Sequence, residues 1–398
     1  MTKLSIQDVS LKDLKVLMRV DFNVPLDSNG NITDDSRIRA SLPSIEYILN
    51  QGASLILLSH LGRPKGKDPK YSLSPCAKRL SELLNRPVIM APDCIGEKVE
   101  SLVENLTAGD ILLLENLRYY EAEQHPEKDP SFAKRLASYG DIYVNDAFGA
   151  AHRNHSSIVP LAKLFQQKAV AGFLLDKEVA FLGAVAHHPK RPFYAVLGGA
   201  KVSTKLGVIQ NLIDQVDGLF IGGGMAYTFL KAQGMEIGNS IFDQDNIESV
   251  KDVIKKCVDK AVQLWLPVDI VITKELTNDS EKKVITVKEG IPEGWMGADI
   301  GPKTVLEWSQ ALGQASTVFW NGPVGVFELP SLAKGTEGIA KTLAQLPATT
   351  IIGGGDSIAA VNKMHLADKF THLSTGGGAS LEYLEFGHLP GIDALCDR

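Results

Sequence analysis

Residues 193–224 read FYAVLGGAKVSTKLGVIQNLIDQVDGLFIGGG, and this stretch decides the fold. Two apolar runs, FYAVL and GLFI, each end at glycines. Between them, Leu206, Ile209 and either Leu212 or Ile213 share one face of a helix. A continuous apolar run is typical of a strand that is buried on both faces, as in a parallel sheet. The stretch therefore predicts a β–α–β unit.

The same alternation continues along the whole chain. Further apolar runs lie at residues 15–23, 54–60, 110–116, 141–147, 269–273, 316–322, 349–355 and 372–378. We interpret all of these runs as parallel strands with helices between them. The pattern predicts an α/β protein with two doubly wound, Rossmann-like parallel-sheet domains joined by a hinge. The predicted divisions are an N-terminal domain at 1–170, a linker helix and hinge at 171–190, a C-terminal domain at 191–378 and a C-terminal segment at 379–398.

Composition narrows the class of protein. The chain has 398 residues, 41 Lys plus Arg and 47 Asp plus Glu, giving a formal net charge of −6. An acidic balance argues against nucleic-acid or membrane-surface partners, which need surplus positive charge. The four cysteines are far apart and the first residues lack the apolar core of a signal peptide, so we expect a cytoplasmic protein. We also expect a monomer.

Basic and polar side chains follow the predicted strands of the first half. They are Asp21 and Asn23 in DFNVP, Arg37 at a helix start, His60 and Arg63 in SHLGRP, Arg118 in ENLRYY and Arg153 in NDAFGAAHRNHSS. Each arginine alone is typical of a solvated loop, and His60 alone is as typical of a structural histidine. Because clustered positive charge repels itself without an anion, the set predicts a site for a small phosphorylated acid. In such a site, Asp21 and Asn23 would bind a hydroxyl group.

Three glycine-rich turns follow strands of the second half, at 197–205, 352–357 and 374–380. Glycines let backbone N–H groups approach phosphate oxygens, and a following helix adds its positive end. None of the turns matches a Walker motif or a dinucleotide fingerprint. Lys201 and Lys205 lie where a phosphate chain would pass. Asp356 either caps the following helix or holds Mg²⁺ beside a nucleotide.

The motifs VDFNVP, SHLGRP, LLENLRYY, GGAKVSTK, WNGPVGVFE, GGGDS and STGGGAS occur in this order between residues 19 and 380. In this order they resemble the phosphoglycerate kinase family of the bacterial type. The resemblance implies reversible phosphoryl transfer from 1,3-bisphosphoglycerate to ADP, giving 3-phosphoglycerate and ATP in glycolysis and gluconeogenesis. It implies direct in-line transfer on hinge closure, and a C-terminal segment that folds back on the N-terminal, phosphoglycerate-binding domain.

The resemblance also implies a role for particular residues. It places phosphoglycerate on Asp21, Phe22, Asn23, Arg37, His60, Leu61, Gly62, Arg63, Arg118 and Arg153. It places ADP or ATP on Lys201, Lys205, Asn321, Glu328, Gly354, Gly355, Asp356 and Ser357, with Glu328 on the ribose and Mg²⁺ on Asp356. The implied catalytic groups are Arg37, Lys201 and backbone amides near Gly355 and Gly378. An attacking carboxylate is already ionised at neutral pH, so positioning and charge neutralisation suffice.

Two other classes of protein share parts of this pattern. A dehydrogenase would also have two α/β domains, but it needs a nicotinamide fingerprint and a histidine that relays protons. A hinge-type binding protein without catalytic activity usually carries an export signal, and we expect none here because the first residues lack an apolar core. A test for ATP formation from ADP, Mg²⁺ and an acyl phosphate distinguishes all three classes.

Overall fold

A computed structural model describes residues 3–398 of the chain. These residues divide into two compact units. The first unit runs to Ala180 and also contains His388–Arg398, and the second comprises Phe181–Gly387.

The first unit is built on one parallel sheet. Its strands are β1 (Lys15–Arg19), β2 (Ser54–Leu58), β3 (Ile89–Met90), β4 (Ile111–Leu113), β5 (Ile142–Asn145) and β6 (Ala169–Ala171), in the order β3-β4-β2-β1-β5-β6. Its helices are α1 (Ser36–Asn50), α2 (Ser74–Leu84), α3 (Glu97–Glu104), α4 (Glu121–Gln124), α5 (Ser131–Ala137), α6 (Pro160–Leu164) and the first part of α7 (Phe173–His187). Ile38, Ile45 and Ile48 of α1 pack into the core against β1 and β2.

The second unit contains two sheets. Its strands are β7 (Phe193–Leu197), β8 (Gly218–Ile221), β9 (Gln263–Trp265), β10 (Asp269–Thr273), β11 (Lys282–Thr286), β12 (Met296–Ile300), β13 (Thr317–Asn321), β14 (Thr349–Gly353) and β15 (His372–Leu373). Six of them form a parallel sheet in the order β15-β14-β13-β7-β8-β9. The predicted fold class, with two doubly wound parallel sheets, is therefore confirmed.

The prediction of a parallel strand at 269–273 is wrong. β10 pairs antiparallel with β11 and β12 in a separate three-stranded sheet. Most of β11 is exposed, and an antiparallel sheet tolerates one solvated face. A short apolar run such as DIVIT does not by itself reveal the direction of its neighbours.

The remaining helices complete the two units. They are α8 (Leu206–Leu212), α9 (Gly224–Ala232), α10 (Ile247–Asp259), α11 (Pro302–Leu312), α12 (Lys334–Leu343), α13 (Gly355–Lys363), α14 (Gly378–Phe386) and α15 (Pro390–Asp393). The division between the two units falls within α7, and α14 belongs to the second unit. Within residues 3–398, no helix combines the length and apolar character that a membrane span needs.

Candidate active site

The polar residues predicted in the first unit gather at the carboxyl edge of its sheet. Asp21 follows β1, His60 follows β2, Arg118 follows β4 and Arg153 follows β5. Ligands of open α/β sheets bind at this edge. Strand order brings together residues that are more than 100 positions apart in the chain.

Hydrogen bonds connect the loops at this edge. Arg37 Nη1 donates to Asp21 Oδ2 at 2.8 Å. Asn23 Oδ1 accepts from Gly62 N at 2.8 Å, and the Gly62 carbonyl accepts from Arg118 Nη1 at 2.7 Å. Gly62 has a φ of +61°, and a Cβ there would lie 2.4 Å from the Tyr71 ring. The SHLGRP turn therefore requires a glycine at this position.

The electrostatics of this edge favour an anion. The pKa of His60 lies well below its usual value, mainly because the ring is buried. The positive charges of Arg19 and Arg118 lower this pKa further. Burial lowers the pKa of Arg118 to about 10, and its Nε is buried without a hydrogen-bond partner. Arg63 and Arg153 are exposed. A bound anion would relieve this mutual repulsion.

Two of the predicted residues present no side chain to a ligand. Phe22 and Leu61 are buried, at 0% and 2% exposure, and Phe22 packs in the core. The Phe22 N–H donates to Ser59 Oγ at 2.9 Å. Any contact with these residues would therefore be made by other backbone atoms.

A cleft of about 430 Å³ lies in the second unit. Its wall is formed by glycines, apolar side chains, Asn239 and two acids. The glycines include Gly199, Gly223 and Gly224; the apolar residues include Leu276, Met296 and Val326; the acids are Glu328 and Asp356. A Cβ at Gly224 would lie 2.5 Å from the Ala200 carbonyl oxygen. The backbone can approach so closely only because side chains are absent there.

The apolar part of this wall could not be predicted from the sequence. Leu276 lies in the loop between β10 and β11, and Met296 is the first residue of β12; both belong to the antiparallel sheet region, whose pairing the sequence does not reveal. Tyr227 lies in α9, and a Cβ at Gly297 would lie 2.1 Å from its hydroxyl. The glycines at 222–224 were the available signal, but they were interpreted only as the end of a strand.

The predicted lysines occupy different environments. Lys205 Nζ donates to the carbonyls of Gly198 at 2.6 Å and Asn321 at 2.9 Å. Burial lowers the pKa of Lys205 to about 8, and the charge of Asp356 opposes this shift. Asn321 is buried and its Nδ2 has no hydrogen-bond partner. Lys201 is exposed and directly precedes a short 3-10 helix.

Two helices begin at the glycine-rich turns. α13 has Gly354 as its N-cap, with a φ of +89°, and no side chain caps it. Asp356 is exposed in its first turn, so the alternative in which Asp356 caps this helix is wrong. Ser357 is buried, and its Oγ accepts from Gly322 N at 2.6 Å. α14 begins at Gly378, which is exposed.

Comparison with known proteins agrees with the motifs. The phosphoglycerate kinase family model matches residues 6–387. A cytosolic phosphoglycerate kinase of Arabidopsis thaliana is 52% identical over 394 residues, covering 98% of this chain and 97% of the relative. That of Clostridium tetani is 52% identical over 400 residues, covering 100% and 98%. The solved phosphoglycerate kinase of Coxiella burnetii has 38% identity and a TM-score of 0.87, covering 98% of both chains. The chain therefore belongs to the phosphoglycerate kinase family and is a phosphotransferase.

Proposed function

We propose that this chain catalyses the reversible transfer of a phosphoryl group from 1,3-bisphosphoglycerate to ADP, directly and in line, giving 3-phosphoglycerate and ATP. The observation that carries this proposal is the basic cluster at the carboxyl edge of the first sheet. A second unit with a glycine-walled cleft supplies a separate site for the nucleotide. Each substrate thus has a site of matching chemistry.

The acid is assigned to the first unit. The arginines at positions 37, 63, 118 and 153 offer forked donors to phosphate and carboxylate oxygens. Asp21 and Asn23 are the groups suited to the substrate hydroxyl. The unpaired, buried Nε of Arg118 supports this assignment, because a buried donor is costly until an acceptor arrives.

The nucleotide is assigned to the second unit. Leu276 and Val326 give the cleft an apolar wall suited to a flat base. Glu328 is exposed at the same cleft and is proposed to accept from the ribose hydroxyls. The N-termini of α13 and α14, with Gly355 and Gly378, are proposed to bind phosphate oxygens through backbone N–H groups. The other residues proposed to bind the nucleotide are Lys201, Lys205, Asn321 and Ser357.

The residues present fit a magnesium ion that accompanies the nucleotide. Within residues 3–398 no group of three or more His, Cys, Asp or Glu side chains is arranged to hold a metal. Mg²⁺ is commonly bound through one carboxylate plus substrate phosphates and water, and Asp356 is an exposed carboxylate on the cleft. When bound, the ion would neutralise charge on the phosphate oxygens.

Catalysis is proposed to rest on positioning. The attacking carboxylate or phosphate oxygen is already ionised, so no general base is required. Arg37 is proposed to pair with oxygens of the transferring group, and Lys201 to neutralise the charge that develops on them.

We further propose that the chain works in the cytoplasm as a monomer.

The direct test is ATP formation. Purified protein, ADP, Mg²⁺ and enzymatically generated 1,3-bisphosphoglycerate should yield ATP at rates well above the blank without protein. Nicotinamide binding, followed by fluorescence, should be absent. A protein that binds ADP but forms no ATP would overturn the proposed activity.

Asp356→Asn should shift the Mg²⁺ dependence of activity to higher metal concentration. The carboxylate is the hard, charged ligand, and an amide oxygen binds Mg²⁺ more weakly. Because Asp356 does not cap α13, the melting temperature should remain close to that of the wild type. Asp368→Asn, which changes another exposed acid of the same unit, is the control. An unchanged magnesium dependence would exclude Asp356 as the ligand.

Hinge closure should require both substrates. The proposed sites lie in separate units, whereas transfer needs reacting atoms about 3–3.5 Å apart and the exclusion of water. A single ligand, bound in one unit, has similar affinity for the open and closed states and therefore does not by itself favour closure. Small-angle X-ray scattering should show the largest decrease in radius of gyration with 3-phosphoglycerate and an ATP analogue together. Equal radii in all four ligand states of an active preparation would contradict closure.

A further inference from the structure

Arg19, the last residue of β1, is completely buried, at 0% exposure. All three nitrogens of its guanidinium group are engaged. Nε donates to Ser157 Oγ at 2.8 Å, Nη1 donates to the Val20 carbonyl, and Nη2 lies 3.1 Å from His60 Nδ1. The guanidinium therefore has one fixed orientation. It lies behind the basic cluster and has no exposed surface with which to bind a substrate.

A buried glutamate balances this charge. Glu123 is also at 0% exposure, and its Oε1 lies 3.7 Å from Arg19 Nη2. Glu123 Oε1 accepts from the Ser157 hydroxyl at 2.6 Å, and Oε2 accepts from Ser157 N at 3.0 Å. Since a buried cation needs a partner, Glu123 balances the charge of Arg19. The Ser157 hydroxyl donates to Glu123 and accepts from Arg19, so the direction of both hydrogen bonds is fixed.

The direction of the Arg19–His60 contact then follows from chemistry. A guanidinium group has only donors, so Nδ1 of His60 must be the acceptor. A histidine whose Nδ1 accepts a hydrogen bond carries its proton on Nε2 and is neutral. Protonation of His60 Nδ1 would place its N–H group against an N–H group of Arg19 and bring two cations into contact.

The other ring nitrogen is available to a ligand. Among residues 3–398 no protein atom accepts a hydrogen bond from His60 Nε2, and this nitrogen is not one of the buried unpaired atoms. The 5% of His60 that remains exposed therefore includes Nε2. The ring follows β2 at the edge where Asp21 and Arg118 also lie.

We propose that Arg19 is a positioning residue that holds His60 as the neutral Nε2–H tautomer, so that His60 offers the acid substrate one directed hydrogen-bond donor rather than another positive charge. This inference rests on the proposed function for the presence of His60 in the phosphoglycerate site. A neutral, directed donor can recognise an uncharged acceptor of the substrate as well as an anionic oxygen. The arginines around it supply positive charge, and His60 supplies a neutral hydrogen-bond donor of fixed direction.

The tautomer can be measured without substrate. Long-range ¹H–¹⁵N spectra of protein labelled at histidine distinguish the two neutral tautomers and imidazolium. The His60 signal is assigned by its loss in His60→Gln. We expect the Nε2–H form at pH 7 and also at pH 6, which is below the usual pKa of a histidine side chain. An Nδ1–H form or an imidazolium at pH 7 would overturn the inference.

Substitutions of His60 test the role of the donor. A glutamine offers a carbonyl oxygen to Arg19 and an N–H to the substrate, whereas a leucine offers neither. The kcat/KM for 3-phosphoglycerate should fall about 10- to 100-fold in His60→Leu, the effect of losing a hydrogen bond to a charged group. It should fall much less in His60→Gln, with the KM for ATP little changed in both. His125→Leu, at an exposed site, is the control.

The double variant Arg19→Met/Glu123→Gln tests the positioning itself, since it removes both buried charges and leaves neither unpaired. We expect its His60 spectrum to lose the pure Nε2–H form and its KM for 3-phosphoglycerate to rise about tenfold or more. A folded double variant that keeps a pure Nε2–H signal would refute the role of Arg19. By contrast, wild-type kinetics in His60→Leu, together with an Nε2–H signal from His60 in the unsubstituted protein, would refute the placement of His60 in the substrate site, and thus the proposed function beneath the inference.

Discussion

Lys201→Ala should lower kcat by about 10²–10³, the usual cost of losing one pre-organised donor that acts on charge in the transition state. Lys201 is exposed and directly precedes the short helix Val202–Thr204, so its side chain contributes little to the fold. The binding of ADP should weaken much less than kcat falls. Steady-state kinetics together with the dissociation constant for ADP measure the two effects separately.

Lys251→Ala is a matched control for this experiment. Lys251 is half exposed on α10 and pairs with Glu248, in the same unit but outside the proposed site. Its kcat and melting temperature should match those of the wild type. If Lys201→Ala kept a normal kcat and only its KM for nucleotide rose, Lys201 would be a binding residue and not a catalytic one.

Arg37→Lys should reduce kcat/KM by about 10²-fold although the positive charge is kept. The guanidinium fork can contact two oxygens at once, and its Nη1 donates to Asp21 Oδ2 at 2.8 Å. A lysine supplies a point charge on a flexible stem and loses the second, directed contact. The loss corresponds to about 2.7 kcal/mol of transition-state stabilisation.

Arg39→Lys provides the comparison within the same helix. Arg39 lies two positions further along α1, is about half exposed and pairs with Asp35 at 2.9 Å. Surface pairs of this kind contribute little, so Arg39→Lys should retain near-wild-type kinetics and stability. Near-wild-type turnover in Arg37→Lys would show that Arg37 acts only through its charge.

Two arginines, Arg19 in β1 and Arg37 in α1, show which roles can be inferred from the sequence and which cannot. Arg37 follows a strand end in a helical first turn, where a functional role can be inferred from position. Arg19 is the last residue of an apolar strand, and nothing in KVLMR distinguishes a buried, fully bonded guanidinium from one that reaches solvent. Its partners, His60, Glu123 and Ser157, come from three distant segments.

The cleft proposed to bind the nucleotide shows the same limit of what can be inferred from sequence. The glycine-rich turns at 197–205 and 352–357 could be predicted as phosphate-binding, because glycine content and strand ends are local properties. Leu276 and Met296 could not be assigned to the cleft, because they belong to loops and strands of an antiparallel sheet whose pairing depends on distant partners.

The α/β class, the two parallel sheets and the family could be inferred from the sequence, which also predicted the types of side chain proposed to meet each substrate. These properties rest on periodicity, composition and motifs, which are read within a few residues of each other. Only the tertiary structure decided which side chains are buried, which nitrogen of His60 accepts a hydrogen bond, and that Asp356 does not cap its helix. Burial and hydrogen-bond direction depend on atoms that folding brings together from distant parts of the chain, so they are not encoded in any one segment.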